Sequence, residues 1–171
     1  MPGPADTDIE VGHLATWQLS TARPCFGVEQ LRDNDLSTFW QSNGSLPHSI
    51  TLQFPVRTHI TRIALYLDIG QDESYTPELL TIHAGDSLLS LQKIATQEFT
   101  NPKGWQTVST LDPARRRPVE LFVLQIQVHS NHQHGKDCHI RQVKVYSPTR
   151  NKGQDLMSYT SLAFGMASTL R

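Results

Sequence analysis

Short runs of alternating apolar and polar residues, divided by turn-forming residues, organise most of this chain. Ile50, Leu52 and Phe54 share one face of the run 48–54, and Ile63, Leu65 and Leu67 repeat that period in the next run. Leu80, Ile82 and Ala84 do so again, closed by Gly85-Asp86. Further on, Phe122, Leu124, Ile126 and Val128 face one way while Gln125, Gln127 and His129 face the other. A two-residue period sends successive side chains to opposite faces of a half-buried strand, and helical spacing is nowhere sustained inside the domain. The segments around Trp17, 91–99, Trp105 and 140–146 bring the expectation to about eight strands. In the last of them the apolar phase slips between Ile140 and Val143, which predicts a bulge. Few charges guard potential strand edges, so a closed architecture is favoured: an all-β sandwich of jelly-roll type.

The flanks differ. Residues 1–12 show no period and are expected to form a disordered N-terminal extension. The domain then occupies 13–148, ending where Ser147-Pro148 stops the last strand, because proline cannot continue a ladder. Residues 149–171 are rich in Ser, Thr, Gly and Met with isolated apolar positions, and composition alone predicts a flexible tail. A total of 171 residues suits one domain with short extensions.

Charge narrows the function classes. With 15 basic and 16 acidic residues there is no global field to recruit nucleic acid or an anionic membrane. The one basic cluster, Arg115-Arg116-Arg117, sits between prolines in a turn and reads as a solvated loop. No window approaches the roughly 18 apolar residues needed to span a bilayer. Residues 1–11 lack the apolar core of a signal peptide, so a soluble intracellular protein with reduced Cys25 and Cys138 is expected. Sequence alone leaves a Cys25–Cys138 bridge open.

Candidate chemistry is sparse. His129, His132, His134 and His139 cluster near Cys138, yet no CxxC or HExxH spacing accompanies them, and a turn-forming polar loop explains 130–137 better than zinc. Cys138 and His139 could pair as nucleophile and base, but neighbours on a strand point to opposite faces. Asp33 and Asp35 invite an acid–base or calcium reading, against the commoner one in which they cap a turn ahead of Trp40. Tyr75 lies in the polar run Asp72-Glu73-Ser74-Tyr75-Thr76-Pro77, where it offers either an exposed stacking face or an inward corner residue.

Several of these runs, in order, carry a family resemblance. They are Trp17-Gln18-Leu19-Ser20, Phe26-Gly27-Val28-Glu29-Gln30-Leu31-Arg32-Asp33, and Phe39-Trp40-Gln41-Ser42 with Gly44-Ser45 and Pro47-His48. The run 72–77 and Pro102-Lys103-Gly104-Trp105 follow, then Asn131-His132-Gln133, Gly135-Lys136-Asp137 and His139-Ile140-Arg141-Gln142-Val143-Lys144-Val145-Tyr146. Over roughly 14–148 the chain resembles the DOC-domain family, subunit 10 of the anaphase-promoting complex. That resemblance implies a galactose-binding-like jelly roll, in agreement with the strand count.

It also implies a role. Family members are non-catalytic subunits of a cullin-RING ubiquitin ligase and act in mitosis, in nucleus and cytoplasm. With a WD40 coactivator they form a co-receptor for the destruction-box degron and raise substrate affinity and processivity. Here the degron-facing loops would carry Ser74, Tyr75, Asn131, His132, His134 and Asp137. Family members end in Ile-Arg, which docks into a tetratricopeptide-repeat scaffold subunit; this sequence ends in Leu170-Arg171, keeping an apolar anchor with altered branching. At His134 relatives can carry asparagine. No cofactor or metal is implied. The rival occupation of this fold is binding of carbohydrate or lipid head groups, against which stand the missing signal peptide and the lack of aromatics in 131–137.

Overall fold

The alternating runs form two antiparallel sheets that face each other, in a computed structural model describing residues 7–149. The strands are β1 (Asp8–Glu10), β2 (Thr16–Leu19), β3 (Trp40–Gln41), β4 (His48–Ile60), β5 (Arg62–Asp68), β6 (Pro77–Gly85), β7 (Gln92–Glu98), β8 (Lys103–Ser109), β9 (Val119–Asn131), β10 (His139–Ile140) and β11 (Gln142–Pro148). One sheet has the order β1-β11-β5-β8, the other β2-β4-β9-β6-β7, and β10 pairs with β3 in a short ribbon. Two short helices, α1 (Val28–Arg32) and α2 (Ile69–Asp72), sit in the connections. This is the expected all-β jelly roll.

The core lies between the sheets, where the period-2 faces meet. Ile63, Leu65, Leu67, Val143 and Val145 oppose Ile50, Leu52, Leu80, Ile82, Leu124 and Ile126, all buried. Phe122 departs from the predicted face. The β4–β9 register shifts between Gln53 and Thr58, and this irregularity breaks the alternation: Leu121 is fully buried, while Phe122 is only partly covered, beneath the Arg57 guanidinium.

Residues 31–42 are built as a structural plug. Asp33 Oδ1 accepts from Asp35 N at 2.9 Å and its Oδ2 from Thr38 Oγ1 at 2.6 Å, while Asp35 Oδ1 accepts from Ser37 N at 2.9 Å. Gln142 Nε2 donates to Asp33 Oδ1 at 2.6 Å and to Gln30 O at 2.9 Å, clipping the loop to β11. Both carboxylates therefore shape turns, and they deliver Trp40, fully buried, with its indole N–H on Thr21 O at 2.9 Å.

Two findings amend the strand list. Asp8–Glu10, read from sequence as part of an aperiodic extension, is the edge strand beside β11. Side-chain bonds rather than apolar alternation hold it. Glu10 takes two hydrogen bonds from Arg32, at 2.9 and 3.2 Å, and Asp8 Oδ2 accepts from Arg62 Nε and Thr61 Oγ1. The phase slip at 140–143 marks a change of partner: β10 pairs with β3, β11 with β5, and Arg141 lies between them.

Candidate functional site

Three connections converge at one end of the sandwich: 69–76 between β5 and β6, 132–138 between β9 and β10, and 42–47 between β3 and β4. Their convergence follows from register, since Pro77 pairs with Asn131 and β4 starts at His48, opposite Val128. His132 N donates to Thr76 O at 2.9 Å, joining the first two loops. Gly135 then rests directly on the Ser74 carbonyl, so closely that any Cβ at 135 would collide with that backbone.

The third loop is braced to the second. Asp137 Oδ1 accepts from Ser42 Oγ at 3.0 Å and Gly44 N at 3.2 Å, and His48 Nε2 bonds the Lys136 carbonyl. Asn131 closes the 132–138 loop from within, donating through Nδ2 to Gly135 O and Asp137 O, both at 3.1 Å. Gln133 and His134 take left-handed backbone angles, φ 54° and 58°. Among non-glycine residues Asn, Asp and His enter that region most readily, which suits the imidazole at 134.

The six residues expected to face a degron therefore separate by burial. Tyr75, 39% exposed, and His134 stand at the surface, with Ser74 and His132 half-buried between them. Asn131 is buried, and one carboxylate oxygen of Asp137 is committed to its neighbours, so these two shape the loop. Leu170 and Arg171 lie outside the described residues.

Tyr75 tops a column of rings. It stacks on His139 with centroids 4.1 Å apart and planes at 13°; His139 stacks on Phe39 at 4.0 Å and 23°; Phe39 stacks on Phe26 at 5.1 Å and 26°. Beside this column, at the edge of the His139 ring, lies a buried ion pair. Asp72 accepts from Arg141 Nε at 2.9 Å and Nη2 at 2.8 Å, and Nη1 of the same guanidinium donates to Leu36 O at 2.8 Å. Burial pushes the Asp72 carboxyl up, but hydrogen bonds from His139 and Arg141, with their charges, outweigh it and hold the group below its ordinary value.

Asp72, His139 and Arg141 were not expected among the site residues. Their signal was present: His139 and Arg141 are two apart, which puts both on one face of an extended segment.

The other candidate chemistries resolve geometrically. Burial, then the Asp137 charge, pushes the Cys138 thiol up to about 12 despite hydrogen bonding with Ser42, so it carries no thiolate at neutral pH. Both cysteines are free thiols, Cys25 exposed and Cys138 buried. The four histidines near Cys138 diverge. His129 bonds Thr81 on the outer sheet face, His139 is stacked inside, and no cluster of three metal-ligating side chains occurs among the described residues. No helix among these residues is long and apolar enough to cross a membrane.

Comparison with known proteins assigns this architecture. Residues 3–169 match the family described as anaphase-promoting complex, subunit 10. This chain belongs to the anaphase-promoting complex subunit 10 family. A subunit 10 from Drosophila melanogaster is 44% identical over 143 residues, covering 84% of this chain and 73% of its own length. One from Schizosaccharomyces pombe is 37% identical over 166 residues, covering 95% and 88%. Among solved structures, the family 32 carbohydrate-binding module of Clostridium perfringens NanJ, in complex with galactose, superposes with a TM-score of 0.67 over 82% of this chain and 99% of the module. At 14% identity that likeness establishes the shared jelly roll and nothing more. Within the subunit 10 family, then, this chain combines a jelly-roll sandwich with a loop end at which Tyr75 and His134 are exposed.

Proposed function

We propose that this chain, as a subunit of the anaphase-promoting complex, serves as a co-receptor for the destruction-box degron, acting with a WD40 coactivator in mitosis. The observation that carries this is the fused pair of loops 72–76 and 131–137. Gly135 seated on Ser74 and His132 bonded to Thr76 make one continuous surface that presents Tyr75, Ser74 and His134, together with a half-buried His132 whose Nε2 is turned inward. An extended peptide needs directional polar partners and a flat apolar face, and these side chains offer both. Every such group sits on backbone tied to the sandwich, which limits the ordering cost of binding.

The role is recognition rather than catalysis. Two receptors holding one peptide raise its effective concentration, which raises processivity without new chemistry at either. Leu170 and Arg171 are proposed to dock on a tetratricopeptide-repeat scaffold subunit, alongside contacts with the cullin and other scaffold subunits. The protein is proposed to work in nucleus and cytoplasm.

The test is reconstitution of the complex with its coactivator and the His134→Ala chain. Binding of a destruction-box substrate and the number of ubiquitins added per encounter should both fall. Unchanged processivity would remove His134 from the site. If Tyr75→Ala is also without effect, the loop surface is not the receptor.

A further inference from the structure

Tyr75 stands at the end of a one-turn 3₁₀ helix, Glu73–Tyr75, whose first residue has φ 48°. Nothing in so short an element locks a surface tyrosine; its ring must be held from below. We propose that His139 is the positioning residue for Tyr75, and that Asp72, Arg141 and Gln41 fix the imidazole in the plane this task requires. The functional consequence rests on the degron reading above; the structural one does not.

The geometry is specific to an imidazole. Nδ1 meets Asp72 Oδ1 at 3.1 Å and Nε2 meets Gln41 Oε1 at 3.1 Å. Both partners lie off the ring edge, leaving the faces to Phe39 and Tyr75. A ring tied at both nitrogens can neither turn about its own bond nor slide, so the plane it offers Tyr75 is set. A phenyl ring would stack without being tied. Asp72, held ionised by Arg141, can only accept, so Nδ1 carries the proton. Gln41 can present either end of its amide to Nε2, and the ring therefore keeps its plane whichever state Nε2 adopts.

The same contacts exclude the other roles suggested by the sequence for His139. Its two nitrogens are engaged with Asp72 and Gln41, which leaves no lone pair for a metal and no base for Cys138. The chain residues Asp72 and Arg141, buried at a binding surface that neither touches directly, acquire a purpose as the support of that ring.

Two measurements decide the matter. In NMR spectra of the full chain, with Tyr75 ring signals assigned by their loss in Tyr75→Phe, stacking on His139 and its neighbours should displace those signals upfield. His139→Ala should return them toward ordinary tyrosine positions, and unmoved signals overturn the proposal. In the reconstituted complex, His139→Ala and Tyr75→Ala should each weaken degron binding by roughly tenfold. The double variant should be no weaker than Tyr75→Ala alone, because one acts through the other. Losses that multiply overturn the positioning role. Should His139→Ala fail to fold, Gln41→Ala takes its place: it removes one tie of the ring, must move the Tyr75 signals, and overturns the proposal if it does not. A Tyr75→Ala complex with unaltered degron binding would instead refute the degron reading, while the ring signals still decide the positioning.

Discussion

Asp72 shows how one buried carboxylate can organise a surface. It receives two hydrogen bonds from Arg141 and one from His139, and all three groups are buried. Its pKa is depressed on folding, so its contribution to stability is complete above the unfolded value of about 3.9 and is lost as pH falls through the folded value. Asp72→Asn should therefore cost about 3–5 kcal/mol at pH 7, since it leaves the Arg141 charge buried and unpaired. The variant should also lose less stability than the native chain on further acidification below about pH 4. Urea unfolding at both pH values checks this, and equal acid sensitivity in the two chains would assign the depressed value to some other group. Residue by residue, the sequence left Tyr75 open between an exposed stacking face and an inward corner, and it could not show that Tyr75 leans on a histidine 64 positions away. The stacking partner is chosen by which strands adjoin, and no local pattern encodes that.

At the scale of elements, the decisive contact is between two loops. Gly135 has an ordinary extended backbone, so its small size, and not its conformational freedom, is what matters: the Ser74 carbonyl occupies the space of a side chain. Gly135→Ala should force the 72–76 and 131–137 loops apart at a cost of about 1–3 kcal/mol. Amide exchange should accelerate at His132, whose N–H reaches across to Thr76, while the core strands β4 and β9 keep their protection. Unaltered exchange at His132 would mean that the loops hold together by other contacts. The strands themselves were legible because period-2 patterning is local, as at Ile63, Leu65 and Leu67. β1 was not, because Glu10 earns its place through Arg32, Gly12 and Val145 rather than through an apolar face.

For the whole molecule, the jelly roll acts as a rigid holder that gathers three connections at one end. Its likeness to a module solved with galactose concerns that scaffold alone. The proposed assembly role belongs at this scale too. Removing Leu170 and Arg171 should lower recovery of the repeat-containing scaffold subunit in affinity purification from the native host, with the 72–76 and 131–137 loops intact. Undiminished recovery would place the docking contact elsewhere on the chain.

What the sequence determined by itself was the strand periodicity, the inward faces of most strands, the turn chemistry of Asp33 and Asp35, and the family to which the ordered motifs point. The first three are written in near neighbours, two to five residues apart, where side-chain direction and backbone propensity act directly; the family is written in the order of motifs along residues 14–148. Tertiary structure alone decided that Phe122 turns outward at a register shift and that β10 and β11 serve different partners. It also decided that Phe26, Phe39, His139 and Tyr75 form one column flanked by a buried Asp72–Arg141 pair. Those outcomes depend on which distant segments are brought side by side, and packing between sheets, not local pattern, makes that choice.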